Sequence, residues 1–427
     1  MSRRSDKRVV REFKAIASDL ELCQALRQLY HRLRDIEDPR SSVNREYELP
    51  DIFMLLILGL LIGKNDPTNI HNFLSKPGIK AQIDKILGYG GKIPSKQVFL
   101  NQLHITDPRA IMTVMDEWQR QYFSRDGRHI ALDGKAVRAA LKKVQDKHNP
   151  PYILNALEVG TGLFVMQEKV GEKTNEAGSL PGFASMLELN GADVTIDAAG
   201  THANIASMIL SSDGHFCLPV KDNQKHMRLA IERAFNAAEE STTIQADYYE
   251  EMAEKLSHGR CEDKFCWVLS VVEGSELFDF LQHSDFKDMV HAVGKLIRAR
   301  EIIKRKEDGT SVIEQSEQTI YYIMSRADIT AQRLCKLAQA HWSVESAHYV
   351  LDTEFDEDRS TIRKGYGMEN MSLLRKIAFN VLRILRRILG SRCTFESARD
   401  EFLTRLSILK NLFRPFSKRE MKTVLIT

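Results

Sequence analysis

Gly191-Ala-Asp-Val-Thr-Ile-Asp-Ala-Ala-Gly-Thr201 is the stretch that decides how the rest of the chain is read. Val194, Thr195 and Ile196 are β-formers, a carboxylate (Asp197) follows them at once, and Ala198, Ala199 and Gly200 stand beside it. The pattern predicts a buried strand ending on Asp197, then a helix over about 202–212 that Gly214 stops. Small neighbours leave space beside the carboxylate for a metal and a phosphate backbone. Equally, Asp is a common residue ahead of a helix, where it accepts backbone N–H groups. Spacing alone leaves both readings open.

Working outward, Ile130, Leu132 and the residues after Gly134 predict a first strand, Tyr152 to Val159 a second, and Leu163 to Val170 a third, with Gly160-Thr-Gly162 as the turn between the last two. A helix over about 180–189 precedes the strand that ends on Asp197, and Phe216 to Val220 forms the next strand. The order β-β-β-α-β-α-β makes the early strands an antiparallel meander. The later ones, joined by helices, must pair in parallel. Asp133, in Ala131-Leu-Asp-Gly-Lys135, lies at the end of the first strand. In a mixed sheet of this order the first and fourth strands can be neighbours, which brings Asp133 and Asp197 to one sheet edge, where open α/β sheets place ligands. Two carboxylates that close repel unless a cation sits between them.

The flanks read differently. Residues 1 to about 125 are helical: Leu20, Leu22, Leu26, Leu29 and Leu33 keep helical spacing, and a second apolar helix starts near Leu49. Gly88-Tyr-Gly-Gly-Lys92 is an ordinary turn, because it lacks the spacing and hydroxyl of a phosphate loop. Beyond the core, a helix over 225–240 and strands over 265–272, 289–297 and 319–324 precede a long helix from Thr330 to at least Leu351. On that helix His341, Glu345, His348 and Asp352 fall on one polar face, which makes Glu345 the best candidate for a third carboxylate.

Composition sets the frame. The 427 residues are enough for two or three domains, and 43% hydrophobic with 28% charged is normal for a globular protein. The net charge of +3 hides an asymmetry: from Arg359 to Thr427 there are sixteen Lys or Arg against five Asp or Glu. A basic end on a near-neutral protein points to a polyanion such as nucleic acid, the bland alternative being solvated helix faces. Arg363, Lys364, Arg375, Lys376, Arg383, Arg386 and Arg387 are the expected contacts, the last three on an amphipathic basic helix. Six scattered cysteines form neither a disulfide framework nor a zinc site. The longest apolar run, Ile52 to Gly63, is too short to span a bilayer, and no apolar signal region follows Met-Ser-Arg-Arg-Ser-Asp-Lys-Arg.

Seven stretches, in this order, carry a resemblance: Ile130-Ala-Leu-Asp-Gly-Lys135, Lys169-Val-Gly-Glu-Lys-Thr-Asn-Glu176, Gly191 to Asp197, His258-Gly-Arg260, Tyr321-Tyr-Ile323, His341-Trp-Ser-Val-Glu345 and Phe355-Asp-Glu-Asp358. With Asp38-Pro-Arg40 through Phe73 they cover about residues 30–390, and in them the chain resembles the transposases of ISAs-type insertion sequences, the H-repeat-associated proteins. These are a branch of the DDE superfamily. Departures are Ala199 for Met, Asp222 for Gly, Gln339 for Arg and Ser346 for Asn, and His341 and Asp352 where hairpin-forming relatives carry Arg and Lys.

The resemblance implies an α/β fold: an RNase H-like core, a mixed sheet with helices, carrying a β-rich insertion and preceded by an N-terminal helical domain. The implied divisions are 1–125 (helical, DNA-end binding), 126–225 and 326–390 (catalytic core), 226–325 (insertion) and 391–427 (basic tail). It implies that Asp133, Asp197 and Glu345, spaced by 64 and 148 residues, hold two Mg²⁺ (or Mn²⁺) ions. Such ions sit roughly 3.5–4 Å apart. The expected function is cleavage at insertion-sequence ends and joining of the 3′-hydroxyl to target DNA. Expected partners are double-stranded DNA and further copies of the chain, as a homodimer or larger homo-oligomer, with no membrane; the expected location is the bacterial cytoplasm, at the nucleoid. Lys135, Lys221, His341 and His348 join Arg363, Lys364, Arg383, Arg386 and Arg387 as expected DNA contacts. The rival expectation is a domesticated, silent or cleavage-only descendant acting as a DNA-binding or defence protein.

Overall fold

The computed structural model describes residues 16, 18–43, 45–123, 127–136, 152–170, 187, 189–241, 245–253, 260–305, 311–390 and 392–414. The expected helix over 180–189 and the His258-Gly pair therefore lie largely outside the described residues. The chain divides into two compact units: Met1–Arg125, Gly134–Lys173 and Glu345–Thr427 form the first, and Asp126–Asp133 and Thr174–Val344 the second. The architecture is mixed α/β.

In the first unit, α1 (Asp19–Arg32) starts on a capping box: Glu21 N–H donates to the Ser18 hydroxyl and Ser18 N–H to the Glu21 carboxylate. The apolar run becomes α2 (Leu49–Leu61), buried along nearly its whole length, so it is a core helix. Gly59 lets α3 (Pro67–Leu74) come close, since a Cβ there would stand 2.5 Å from Ile70 Cγ1. Short α4 (Pro77–Gln82), α5 (Lys96–Ile105) and α6 (Pro108–Arg120) follow. The hairpin β2 (Tyr152–Glu158) and β3 (Leu163–Val170) is antiparallel, and Gly162 takes a φ of +68° at its turn. After this unit's share of the Glu345 helix come α12 (Gly367–Leu389) and α13 (Phe395–Thr404). α12 is the axis of the unit, packing against α1, α2, α5, α6, β3 and α13.

The second unit carries a mixed sheet in the order β1-β4-β5-β9-β8-β7-β6. β1 (His129–Ala136) enters it with its first five residues and pairs in parallel with β4 (Asp193–Thr195), which pairs in parallel with β5 (His215–Val220). α7 (Ala203–Ser211) connects β4 to β5, and Asp193 is held by Arg326 and Arg333 at the start of β4. After α8 (Lys225–Glu240) come β6 (Asp247–Glu251), β7 (Arg260–Ser270), α9 (Glu276–Gln282), β8 (Ala292–Arg305) and β9 (Ser311–Met324). β8 and β9 are longer than their apolar stretches predict, because their outer halves are exposed, charged rungs of one antiparallel ladder. β9 pairs with β5, so the β-rich segment continues the core sheet. α10 (Ala331–Ala340) lies on β8, where Gly294 leaves room for Leu334. The expected long helix from Thr330 is two segments, α10 and α11 (Trp342–Phe355), with His341 between them. No described helix is long and apolar enough to cross a membrane.

Candidate active site

The register of β1 against β4 sets the geometry. Ile130 pairs with Val194 and Ala131 with Thr195, so Asp133 and Asp197 each lie two residues beyond the last rung of two adjacent parallel strands. Period-two alternation puts each carboxylate on the same sheet face as the residue of that rung. Asp133 lies inside β1, three residues before its last residue, and not at its end as expected. β4 stops at Thr195, and Asp197 follows Ile196 as the cap of a single 3₁₀ turn, Ala198–Gly200, with Gly200 N–H donating to Asp197 Oδ1 at 3.0 Å. The capping role is thus real, but the capped element is this turn; α7 begins only at Ala203. Asp197 is exposed and Asp133 half-buried.

His341 belongs to the same place. Burial pushes its imidazole below the ordinary histidine range, against the pull of Asp133 and Asp197, whose charges both reach it. Its Nδ1 lies 2.9 Å from Thr195 Oγ1, and that hydroxyl lies 2.7 Å from His129 Nε2. His129 is buried, and desolvation, then His341 and Arg333, press it down to about 3. Thr195 and His129 escaped the sequence reading, although both sit in its two strand motifs; the available signal was a hydroxyl and an imidazole among β-formers on rungs leading to the carboxylates. Glu345 is exposed and stands one turn beyond His341, near the start of α11.

Two carboxylates offer hard oxygen donors, which suit Mg²⁺ or Mn²⁺. Among the described residues no group of three or more His, Cys, Asp or Glu side chains could by itself hold a metal ion. The donor chemistry of Asp133 and Asp197 fits such an ion, but a third ligand has to be supplied from beyond the pair.

Several expected DNA contacts are placed elsewhere. Lys135 is buried and ion-paired to Asp352 and, at 2.8 Å, to Glu357. His348 is buried, hydrogen-bonded to Asn155 at 3.0 Å and stacked on Phe164. The basic helix is a core helix: Lys376 is 0% and Arg375 3% exposed. Arg375 donates to the carbonyls of Phe355 and Asn65, and Lys376 to Gln167 and Ser372. Arg386 donates to Cys393 O and lies over Phe395, Arg387 donates to Gly160 O and Thr161 O, and Arg383 packs against Gly162. Apart from Arg383, whose Nε finds no hydrogen-bond partner among the described residues, these cations are engaged with oxygen acceptors, as the cost of burying a charge unpartnered requires. Lys221 and Lys364 are exposed and Arg363 is half-buried.

A family model described as "Transposase DDE domain" matches residues 124–381, and one described as "DDE_Tnp_1-associated" matches residues 30–119. The chain is 29% identical over 363 residues to "H repeat-associated putative transposase YhhI" of Escherichia coli (strain K12), covering 84% of this chain and 90% of that protein. It is 28% identical over 371 residues to "Putative transposase YncI" of Escherichia coli O157:H7, covering 86% and 90%. A chain from the cryo-EM structure of the piggyBac transposase synaptic complex with hairpin DNA is similar at a TM-score of 0.37 and 11% identity, over 98% of this chain and 84% of that one, a likeness too slight to bear on function. A match over more than half of the chain, with relatives covered nearly end to end, places it: the chain belongs to the Transposase DDE domain family.

Proposed function

We propose that the protein cuts DNA at the ends of an insertion sequence and joins the freed 3′-hydroxyl to target DNA, with Asp133, Asp197 and Glu345 as its metal-holding carboxylates. The observation that carries this reading is the rung Ala131–Thr195 of two neighbouring parallel strands, past which Asp133 and Asp197 each follow by two residues. An RNase H-like core is the fold this reading implies. Mg²⁺ or Mn²⁺, two ions when bound, would supply the activated water or hydroxyl and stabilise the departing 3′-oxygen. The protein's own part is positioning. The Gly200 amide fixes Asp197 through one oxygen. Glu345 brings the third carboxylate from α11, and His341, Lys221, Arg363 and Lys364 meet backbone phosphates. The active form is a homo-oligomer on DNA in the bacterial cytoplasm.

The test uses the full chain and DNA carrying the element's mapped ends. Cleavage should need Mg²⁺ or Mn²⁺ and fall by orders of magnitude in Asp133→Asn and in Asp197→Asn, where the amide still accepts from Gly200. The same ions should raise the melting temperature of the wild type, because a ligand of the native state stabilises it. An equal rise in the Asp133→Ala/Asp197→Ala double variant would remove this pair as the metal site.

A further inference from the structure

His129, Thr195 and His341 form a chain of two hydrogen bonds through a single hydroxyl, all on the face of the two candidate ligands. Thr195 Oγ1 has one proton and two lone pairs, so it can donate to one imidazole at most and accept from one or both. Burial disfavours the charged form of both rings, and a neutral imidazole has one N–H. Three arrangements satisfy both bonds. In the first, His129 Nε2–H donates to Thr195, whose hydroxyl donates to His341 Nδ1, leaving the proton of His341 on Nε2. In the second, every bond is reversed, and in the third both imidazoles donate to the Thr195 oxygen; in both of these Nε2 of His341 carries a lone pair. His341 lies in the field of Asp133 and Asp197. Two carboxylates repel a lone pair and attract an N–H, so the field selects the first arrangement. Nδ1 being committed to Thr195, Nε2 is the ring nitrogen available to a ligand.

We infer that Thr195 and His129 are positioning residues that hold His341 as its Nε2–H tautomer, so that the site presents a neutral hydrogen-bond donor to a phosphate oxygen of the DNA. The inference rests on the reading of the site as a DNA-cutting centre, and its ligand is the anionic backbone that such a centre must hold. A neutral donor suits a place between carboxylates and phosphate: it binds the anion without a fixed positive charge pairing with Asp133 or Asp197. An imidazole turned the other way would face a phosphate oxygen with a lone pair. The carboxylate field favours this tautomer, and the Thr195 hydroxyl, itself bound by His129, locks it from the far side of the ring by donating to Nδ1, in the way outer partners orient the imidazoles of other sites.

Two measurements test this, one independent of activity. In full-length protein with ¹⁵N-labelled histidine and no DNA, the His341 resonances, identified by their loss in His341→Gln, should show Nε2 protonated and Nδ1 bare. Thr195→Ser should keep that pattern and Thr195→Val, which has the same shape without the hydroxyl, should shift it to a tautomer mixture. Protonation on Nδ1 in the wild type, or no change in Thr195→Val, overturns the inference. In DNA cleavage with Mg²⁺, Thr195→Val should be slower by about tenfold, the scale of one hydrogen bond, and Thr195→Ser within about twofold. In a His341→Ala background, Thr195→Val should cost nothing further, since a residue acting through His341 has no effect without it. Losses that multiply would mean Thr195 acts by another route. A wild-type protein that cuts no DNA would defeat the functional reading, while the resonances would still decide the tautomer.

Discussion

Glu357→Gln removes one charge from the interior of the first unit, and the structure says what should follow. Glu357 is 2% exposed and accepts from Lys135 Nζ at 2.8 Å and Ser372 Oγ at 2.7 Å, with Lys376 Nζ at 3.8 Å. Burial by itself would raise its carboxyl, but Lys376, Lys135 and Arg375 outweigh burial and hold it below the usual carboxylate range. Glutamine keeps the volume and can still accept from Ser372. Its other end would place an amide N–H₂ against an ammonium, and Lys135, Lys376 and Arg375 would lose the buried carboxylate they share, leaving Lys135 paired to Asp352, which is partly exposed. Removing one partner of a buried pair costs about 3–5 kcal/mol. At about 2–4 °C per kcal/mol for a unit of this size, the melting temperature should fall by roughly 6–20 °C. Differential scanning calorimetry at neutral pH reads this directly. Glu357→Gln/Lys376→Met should recover part of the loss, because it removes one of the stranded cations. The sign with pH is also fixed. A depressed carboxyl contributes stability above the unfolded value of about 4.3 and loses it as pH falls, so the wild type should lose more stability on acidification than Glu357→Gln. A melting temperature within about 2 °C of wild type, or a double variant worse than either single one, would refute the charge argument.

Three other outcomes are expected. Burial outweighs Glu357 at Lys376 and lowers its ammonium from 10.5 to about 8; a depressed base favours the folded state as pH rises between those values, so the wild type should gain stability relative to Lys376→Met, by up to about 3 kcal/mol in a denaturant series. Glu345→Gln should fold normally and cut DNA slower by orders of magnitude, whereas Asp352→Asn, which only trims the Lys135 ion pair, should lower the melting temperature by a few degrees with much smaller losses in cleavage; the reverse pattern would show that Asp352 is the ligand. Neutralising Arg383, Arg386 and Arg387 together should destabilise the first unit while leaving the slope of DNA affinity against salt within about one unit of wild type, because Arg386 and Arg387 are engaged with carbonyls and Phe395 and Arg383 packs against Gly162.

Local chemistry was legible in the sequence. β3 spans Leu163–Val170, the run read for it, because a glycine turn and dense β-formers define both ends. Asp197 was readable as both cap and candidate ligand, since its neighbours in sequence are its neighbours in space. What depends on distant partners was not readable. Lys135 looked like a phosphate contact because it follows Asp133 by two residues, yet its carboxylates come from 217 and 222 residues away. Arg375 and Lys376 looked like contacts for a polyanion, and only the fold brings Asn65, Gln167 and Glu357 to them. Helical spacing groups residues on a face but does not say what that face meets. The Thr195 bridge is of the same kind: its two imidazoles lie 66 residues before and 146 residues after it.

The buried cations change what the chain's charge means. Among the described residues, Arg27, Lys135, Lys264, Arg298, Arg375 and Lys376 are buried, against only Glu158, Asp193 and Glu357 among the acids. That surplus of three equals the formal +3 of the whole chain, so the described interior by itself holds as much net positive charge as the whole chain carries. An ion-exchange surface touches only the outer side chains. The folded protein should therefore leave a cation-exchange resin at lower salt than its sequence suggests, and the same chain in urea, with these side chains released, should be retained longer.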